Sequence, residues 1–352
     1  MQEACLNGLW CFMDGSMDDG TSWGGHFDAE TLDEAILLLE IHKDSRAKII
    51  SGGTDILRIL KQKCLSELPN VLINLKTIQE LAYIKEENQT LKIGALTSLS
   101  EIEKSALIRA KYNVLSSTAG VVGSPQIRNM ATIAGSLCQD VKCWYYRAPK
   151  DYYHCFRKGG TICPAQRGDS RWMFSIFGRQ EKDPCYATCQ FDMAITLSAL
   201  GACIKTTQRV IPIEKFFSPT FPGNRLYREE IITEIQVPVL PLGTKARYSK
   251  FAVRGSLDHP LVSVATVIKE KEARIVVGGV SIVPHIADEA ADVLHGKEIT
   301  EDLAEKAGAL AVKNAAPFPM NVWKVKVMKA LVKRSLLNMK TQDSIQNGIA
   351  FK

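Results

Sequence analysis

The chain has 352 residues, 46% of them hydrophobic, so it can bury a substantial core and is long enough for two or three domains. Its 44 basic and 38 acidic residues leave a net charge of +6 without a concentrated basic stripe, which argues against a nucleic-acid partner. No run of about 18 apolar residues occurs. The N-terminus is acidic, unlike a secretory signal, so we expect a cytosolic protein without a membrane segment.

Alternating helices and strands are predicted along the first half of the chain. Residues 1–26 show no periodicity and are interpreted as an appended arm. The capping box Thr31-Leu-Asp-Glu34 opens a helix whose apolar residues recur at helical spacing. Later elements are strands at 48–51, 71–75 and 91–95, a helix capped at 98–101, helices at 111–121 and 191–200, and a strand at 229–238. This order predicts a first domain at residues 27–238.

The pattern changes near residue 247, where strands are followed by helices. The predicted strands cover 248–254, 262–269 and 273–283, and the predicted helices cover 287–294, 299–314 and 322–337. Consecutive strands without intervening helices favour antiparallel pairing. We therefore predict a second domain at residues 239–352, formed by a small antiparallel sheet with helices packed on it.

The strand at 48–51 runs into Ser51-Gly-Gly-Thr-Asp55. A glycine pair in that position lets backbone N–H groups approach a diphosphate, and Thr54 can donate a further hydrogen bond. The same residues also form ordinary β-turns. They match neither the G-x-G-x-x-G fingerprint nor the P-loop. A phosphate cradle is therefore one of two interpretations of this loop.

A second stretch of small residues, at 131–136, has the same character. Thr132 and Ser136 can donate hydrogen bonds, and Gly135 leaves room for a ligand. Alone this stretch is also ambiguous. Two such stretches in one domain, followed by Asp192, favour an extended dinucleotide site with two sides.

A segment at 138–189 is rich in cysteine, glycine and basic residues. Six of the ten cysteines lie in it: Cys138, Cys143, Cys155, Cys163, Cys185 and Cys189. Four thiolates can hold an iron–sulfur cluster, and the neighbouring arginines and lysines would offset its negative charge. No C-x2-C pair occurs, however. The residues alone leave three interpretations open, namely an iron–sulfur cluster, a structural zinc and incidental thiols.

No catalytic constellation of nucleophile, base and acid is apparent. The histidines are scattered and are each interpreted as a surface residue or a hydrogen-bonded core residue: His26, His42, His154, His259, His285 and His295. We therefore name no catalytic residue.

Five motifs together carry a resemblance to a known family. They are Ile49-Ile-Ser-Gly-Gly-Thr-Asp-Ile56, Leu91-Lys-Ile-Gly-Ala-Leu-Thr97, Ser124-Pro-Gln-Ile-Arg-Asn129 with Thr132-Ile-Ala-Gly-Ser136, Tyr248-Ser-Lys-Phe251 and Val277-Gly-Gly-Val280. Over about residues 27–340 the chain resembles the FAD-binding medium subunit of the xanthine dehydrogenase and carbon monoxide dehydrogenase family of molybdenum hydroxylases. The resemblance implies an α+β fold, with an FAD-binding domain of the vanillyl-alcohol oxidase type in two subdomains and then the family's C-terminal domain.

The same resemblance implies which residues contact FAD. One phosphate side falls on Ser51, Gly52, Gly53, Thr54 and Asp55, the other on Thr97, Thr132, Gly135 and Ser136, and two charged residues near the cofactor are Asp192 and Lys250. Ala134 stands where the family more commonly has glycine.

Most of the family lacks the cysteine-rich segment, which is therefore an insert. It resembles a segment of the β subunit of 4-hydroxybenzoyl-CoA reductase, in which a 4Fe-4S cluster lies between an outside donor and the flavin. The resemblance implies that the metal ligands are Cys143, Cys155, Cys163 and Cys185. The step from Cys163 to Cys185 is longer than that pattern expects. Cys138 and Cys189 are left as neighbouring or spare thiols.

By this resemblance the chain is an oxidoreductase subunit that transfers electrons through FAD and a 4Fe-4S cluster. Substrate chemistry would take place on a separate large molybdopterin subunit, with a small 2Fe-2S subunit as second partner and a ferredoxin-type protein as a further electron partner. The insert favours a reductase of the aryl-CoA (4-hydroxybenzoyl-CoA) type. The alternative is a purine or N-heterocycle hydroxylase. Two other classes stay open, a self-contained FAD oxidase or dehydrogenase and a scaffold that binds structural zinc.

Overall fold

The computed structural model describes residues 25–65, 67–149, 152–178, 184–220, 223–255, 257–270 and 272–346. Most of the appended arm predicted at 1–26 lies outside the described residues. Gly25 and His26 are the exception, because both belong to the first strand and are held by pairing with a neighbouring strand.

Within these ranges the strands are β1 (Gly25–Asp28), β2 (Lys48–Ile50), β3 (Val71–Asn74), β4 (Ile84–Glu87), β5 (Thr90–Gly94), β6 (Cys203–Thr206), β7 (Val210–Pro212), β8 (Ile232–Pro238), β9 (Lys245–Phe251), β10 (Val262–Lys269), β11 (Glu272–Gly278) and β12 (His285–Ile286). The helices are α1 (Leu32–Ile41), α2 (Ile56–Lys61), α3 (Leu99–Lys104), α4 (Ala106–Lys111), α5 (Asn113–Gly120), α6 (Pro125–Met130), α7 (Ile133–Leu137), α8 (Trp144–Arg147), α9 (Asp192–Leu200), α10 (Ile213–Phe216), α11 (Asp288–Asp292), α12 (Glu301–Leu310) and α13 (Trp323–Gln346). None of the helices in the described ranges combines the length and apolar character needed to span a membrane.

The first sheet is parallel and has the strand order β1-β3-β2. Helix α1 buries Ala35 and Leu39 beside it, and Thr31 caps the helix by accepting a hydrogen bond from the backbone N–H of Glu34 at 3.1 Å. The predicted helix and both predicted strands in this region are confirmed. Between β2 and α2 lies the loop 51–55, so the carboxyl end of a strand leads directly into the glycine pair.

The second sheet is antiparallel, with the order β4-β5-β8-β6-β7. Helix α3 begins at a complete capping box. The Ser98 hydroxyl accepts a hydrogen bond from the Glu101 N–H, and the Glu101 carboxylate accepts one from the Ser98 N–H. The sequence predicts only β5 and β8 of this sheet. The other strands are short and carry polar residues on one face, so their alternation is too brief to stand out.

Helix α9 joins the two predicted domains through a shared core. All of its residues are buried, from Asp192 to Leu200. It contacts α5 and β8 of the first domain and β10 and β11 of the second. A helix that is buried on every side is typical of such a central position. The residue that opens it, Asp192, is therefore carried into the interior of the molecule.

The third sheet is antiparallel, with the order β12-β11-β10-β9, and helices α11, α12 and α13 cover it. Met328 and Val332 of α13 are buried in this core, whereas Lys333 of the same helix pairs with Glu301 of α12 at 3.0 Å. The predicted C-terminal domain, a small antiparallel sheet with helices, is confirmed.

Strand β11 ends before the predicted limit at 283. Gly279 has a φ of +74°, and a Cβ atom there would collide with the carbonyl group of Leu261, so the chain turns at this glycine. Beyond the turn, Gly279 donates from its backbone N–H to the Cys189 carbonyl at 2.7 Å, and Cys189 donates to the Ser281 carbonyl at 2.7 Å. The end of the insert is thereby fixed to the second domain.

Lys324, near the start of α13, is fully buried and joins the insert to the second domain. Its Nζ donates to the carbonyls of Trp172 at 3.1 Å and Phe174 at 3.0 Å in the insert, and also to the carbonyl of Gly279. Burial lowers the pKa of Lys324 to about 7. The three carbonyl acceptors match the three donors of an ammonium group.

Replacing Lys324 by methionine should therefore destabilise the protein. The change removes the shared donor of three carbonyls, of which the Phe174 carbonyl keeps a hydrogen bond from Asn321 Nδ2 at 3.1 Å. We expect the free energy of unfolding to fall by about 2–4 kcal/mol. Thermal or denaturant unfolding of Lys324→Met measures this loss. Lys326→Met, an exposed lysine on the same helix, is the control and should unfold like the wild type. Equal stability of the two variants would contradict the structural role of Lys324.

Candidate functional site

The two stretches of small residues lie against each other. The hydroxyls of Ser51 and Thr132 are hydrogen-bonded at 3.0 Å. A Cβ atom on Gly52 would collide with the backbone carbonyl of Met130, and one on Gly135 would lie 2.9 Å from Thr132 Oγ1. The two stretches predicted to line one dinucleotide site are thus in direct contact in the fold, and glycine is required where their backbones meet.

The exposed rim of this pair is made of small groups. Gly53 has a φ of +69°, and Thr54 and Gly135 are exposed. Thr132 caps α7 by accepting a hydrogen bond from the Gly135 N–H at 3.2 Å. Ala134, which replaces the commoner glycine, packs its methyl group against the core and therefore leaves the exposed side open. The rim between the two loops is therefore lined by small groups that leave it open.

Two residues predicted to contact FAD, Thr97 and Ser136, use their hydroxyls to bond the protein's own backbone. The Thr97 hydroxyl is buried, and it donates to the Tyr83 carbonyl at 2.9 Å and accepts from the Tyr83 N–H at 3.1 Å. The Thr97 carbonyl accepts the N–H of Ile133 at 2.9 Å, which places the start of α7. Ser136 likewise donates from its hydroxyl to the Ile133 carbonyl at 2.8 Å. Their side chains thus bond the protein's own backbone beside the predicted site.

The carboxylate of Asp55 is the centre of an ion cluster. It accepts from Lys142 Nζ at 2.5 Å and Arg147 Nη2 at 2.9 Å, and the Asp140 N–H donates to it at 2.9 Å. Burial raises the pKa of Asp55, but the two cations outweigh it and hold that pKa below its ordinary value. Asp55 is therefore an anion that ties the glycine loop to the insert.

The second end of the site is a buried acid–base group. Lys250 Nζ lies 3.2 Å from Asp192 Oδ1 and donates to the Val121 carbonyl at 2.9 Å. The Tyr248 hydroxyl donates to the same Asp192 oxygen at 2.6 Å. Burial raises the pKa of Asp192 in spite of Lys250 and Tyr248. The structure thus brings together the two charged residues that the resemblance implies.

His259, in the loop between β9 and β10, lies within electrostatic reach of both ends. Burial, together with the positive charges of Lys142 and Lys250, lowers the pKa of His259 to about 3, so the imidazole is neutral. The sequence interpretation treats His259 as a surface or core residue, because no motif surrounds it. Lys142 and Arg147 are also absent from the predicted contacts, although their positions beside Cys143 offered a signal.

Four of the six insert cysteines share one small core. Cys143, Cys155, Cys163 and Cys185 are 5–8% exposed and pack with Phe174 and neighbouring aromatic residues. Burial raises the pKa of Cys155 to about 11, and nearby Cys185 and Cys163 add to that rise. These four are the cysteines that the resemblance implies as ligands.

The other two insert cysteines lie elsewhere. Cys189 belongs to the main core around α9, and Cys138 is exposed. Every cysteine in the described ranges carries a free thiol. Among the described residues, no group of three or more histidine, cysteine, aspartate or glutamate side chains is arranged to hold a metal ion. The four-cysteine metal site therefore stays a prediction.

Comparison with known proteins gives two family matches. The family described as "FAD binding domain in molybdopterin dehydrogenase" matches residues 22–240, and "CO dehydrogenase flavoprotein C-terminal domain" matches residues 247–339.

Individual relatives agree with these matches. The chain is 32% identical over 250 residues to the aldehyde oxidoreductase FAD-binding subunit PaoB of Escherichia coli strain K12, covering 68% of this chain and 76% of that protein. It is 43% identical over 111 residues to the nicotinate dehydrogenase FAD-subunit of Eubacterium barkeri, covering 32% of this chain and 37% of that protein. It shares its fold with reconstituted CO dehydrogenase from Oligotropha carboxidovorans at a TM-score of 0.70 and 21% identity, over 90% of this chain and 97% of that chain.

Replacing Gly52 by alanine should abolish FAD retention. The added methyl group collides with the Met130 carbonyl and pushes the two loops apart, which breaks the Ser51–Thr132 hydrogen bond. The ratio of flavin to protein after desalting measures the effect, and circular dichroism checks that the variant is folded. Gly255→Ala, where a Cβ atom meets open space, should retain FAD fully. Folded Gly52→Ala protein with a full complement of FAD would contradict the cradle.

Proposed function

We propose that this chain, which belongs to the family of FAD-binding subunits of molybdopterin dehydrogenases, is the FAD and 4Fe-4S electron-transfer subunit of a heteromeric molybdenum-containing oxidoreductase. The observation that carries the proposal is the common core of four buried cysteines in an insert that contacts the glycine loop. The proposed cluster ligands and the proposed FAD cradle would thus lie in adjoining parts of one chain.

The residues present fit FAD. Gly53 and Thr54 would offer backbone N–H groups to a diphosphate, and exposed Gly135 leaves room for it. The buried pair Asp192 and Lys250 offers charged groups at the other end. Neutral His259, within electrostatic reach of Lys142 and Lys250, adds an uncharged polar group. The proposed FAD domain is of the vanillyl-alcohol oxidase type, with the parallel and antiparallel sheets as its two subdomains.

The four thiols support a cluster by their number, chemistry and surroundings. Iron in a 4Fe-4S cluster takes four cysteine thiolates. Such a cluster is wider than a single ion, so its ligands stand farther apart than the thiolates of a zinc site, which lie about 3.8 Å from one another. The apolar wall of Tyr146 and Phe174 would limit access of water. When bound, FAD exchanges electron pairs with single electrons and the cluster relays single electrons.

The chain's own residues hold and insulate these groups and do not act on the substrate. We place substrate chemistry on a large molybdopterin subunit, with a small 2Fe-2S subunit as second partner and a ferredoxin-type protein as an outside electron partner. The name of the PaoB relative describes an FAD-binding subunit, which supports a heteromeric assembly. The free thiols of the described cysteines suit a reducing compartment, and we propose the cytosol.

Two substrate classes remain candidates for the complex. The insert supports reductive dehydroxylation of a hydroxylated aryl-CoA, in which the thioester stays intact and electrons enter through the cluster toward the flavin. The 43% identity with the nicotinate dehydrogenase FAD-subunit favours the second candidate, oxidation of an N-heterocycle, with electrons leaving.

Replacing Cys185 by alanine should remove the cluster and leave FAD in place. Wild-type protein purified without oxygen should hold about four irons and four sulfides in this insert. Cys185→Ala should lose iron and sulfide because one of the four ligands is missing. It should keep FAD because the residues of the FAD cradle are unchanged. Iron, acid-labile sulfide and FAD are measured per protein. Cys138→Ala and Cys189→Ala are the controls and should keep iron. Zinc in place of iron, or loss of iron from Cys189→Ala but not from Cys185→Ala, would overturn the assignment.

Tagged chain isolated from its native host should bring down a large molybdopterin subunit and a small 2Fe-2S subunit. The interfaces should bury on the order of a thousand Å² or more, as stable complexes require. The purified complex is then assayed with an aryl-CoA thioester plus a reduced ferredoxin, and with N-heterocycles plus an oxidising dye. A lone monomer with full activity on either substrate would contradict the subunit proposal.

A further inference from the structure

Arg157 lies at the centre of the insert, in the short turn that follows Cys155. Its side chain is 1% exposed. Nε donates to Cys185 Sγ at 3.3 Å, and Nη1 lies 3.9 Å from Asp140 Oδ1. The Tyr146 hydroxyl donates to the other oxygen of Asp140 at 2.5 Å, which fixes that carboxylate. A guanidinium is therefore held directly against one of the four proposed ligands.

A buried cation is favourable only where negative charge compensates it. Neutral thiols would compensate little of the positive charge of a guanidinium, whereas the same sulfurs bound to iron carry negative charge. A cluster gains one further negative charge on reduction, so a cation and a hydrogen-bond donor at a ligand sulfur stabilise the reduced form more than the oxidised form. The position of Arg157 is thus matched to an anionic group that accepts electrons.

Arg157 also lies on a polar path toward the glycine loop. The side chain of Asp140 faces Arg157, and the backbone N–H of Asp140 donates to Asp55 at 2.9 Å. The path therefore runs from Cys185 through Arg157 and Asp140 to Asp55. Displacing Arg157 would remove its contact with the sulfur while the contacts of Asp55 with Lys142 and Arg147 remain.

We propose that Arg157 is a positioning residue that raises the reduction potential of the cluster through its hydrogen bond to Cys185 and its buried charge. This inference rests on the proposed cluster. It assigns a role to a residue outside the ligand set, and it implies that the potential depends on one side chain of this chain rather than on the four sulfurs alone.

The test is a redox titration followed by electron paramagnetic resonance, on the intact complex purified without oxygen. Arg157→Met removes the charge and the donor, and the midpoint potential of the cluster should move to more negative values. The expected shift corresponds to at least a tenfold change in the one-electron equilibrium constant, about 59 mV. Arg157→Lys keeps the charge without the planar donor and should give a smaller shift in the same direction. If Arg157→Met does not retain iron, the midpoint potential of Arg157→Lys provides the test instead.

Arg171→Met is the matched control, because it removes an exposed arginine of the same insert, paired with Asp169 at 2.6 Å. It should leave the potential unchanged. An iron-containing Arg157 variant with the wild-type potential, or an equal shift in Arg171→Met, would overturn the role of Arg157 alone. Wild-type protein without iron would overturn the proposed cluster and this inference together, so the two failures are distinguishable.

Discussion

The arrangement of the site depends on the ion pairs that the Asp55 carboxylate forms. This carboxylate lies at the end of the glycine loop, and it holds two cations, Lys142 and Arg147, that belong to the insert. Removing one partner of such a largely buried ion cluster leaves uncompensated charge, at a cost of about 3–5 kcal/mol. The loop that would carry the diphosphate and the segment that carries the cysteines are therefore stabilised as one unit.

Helix α9 provides the second constraint. Because it is buried on all sides between the two domains, the residue at its start is fixed with respect to both. Asp192 there meets Lys250, which is contributed by β9 of the second domain. A charged pair formed across two domains keeps its geometry only while their shared core stays packed. The geometry of the Asp192–Lys250 pair therefore depends on the packing of the core that the two domains share.

Local signals in the sequence predict much of this fold. The helix caps at Thr31 and Ser98, the strands beside the glycine pair and the antiparallel C-terminal sheet follow from patterns a few residues long. The adjacency of the two small-residue stretches and the grouping of four cysteines agree with the resemblance. The roles of Asp55 and Thr97 could not be predicted, because their partners Lys142 and Tyr83 are brought close only by tertiary folding. The same holds for His259, whose environment is set by residues from other parts of the chain.

The attachment of Cys189 to the turn at Gly279 and Ser281 bears on the distance between the proposed cluster and the flavin. The segment 185–192 connects a proposed ligand to the acid at the flavin end, and its extended backbone would span about 25 Å at most. Two backbone hydrogen bonds fasten the middle of this segment to the second domain. Tunnelling between two redox centres depends steeply on their separation, so thermal fluctuation in a loose linker would spread the transfer times widely. A segment fastened at its midpoint would hold the two proposed centres at a nearly constant separation and so narrow that spread.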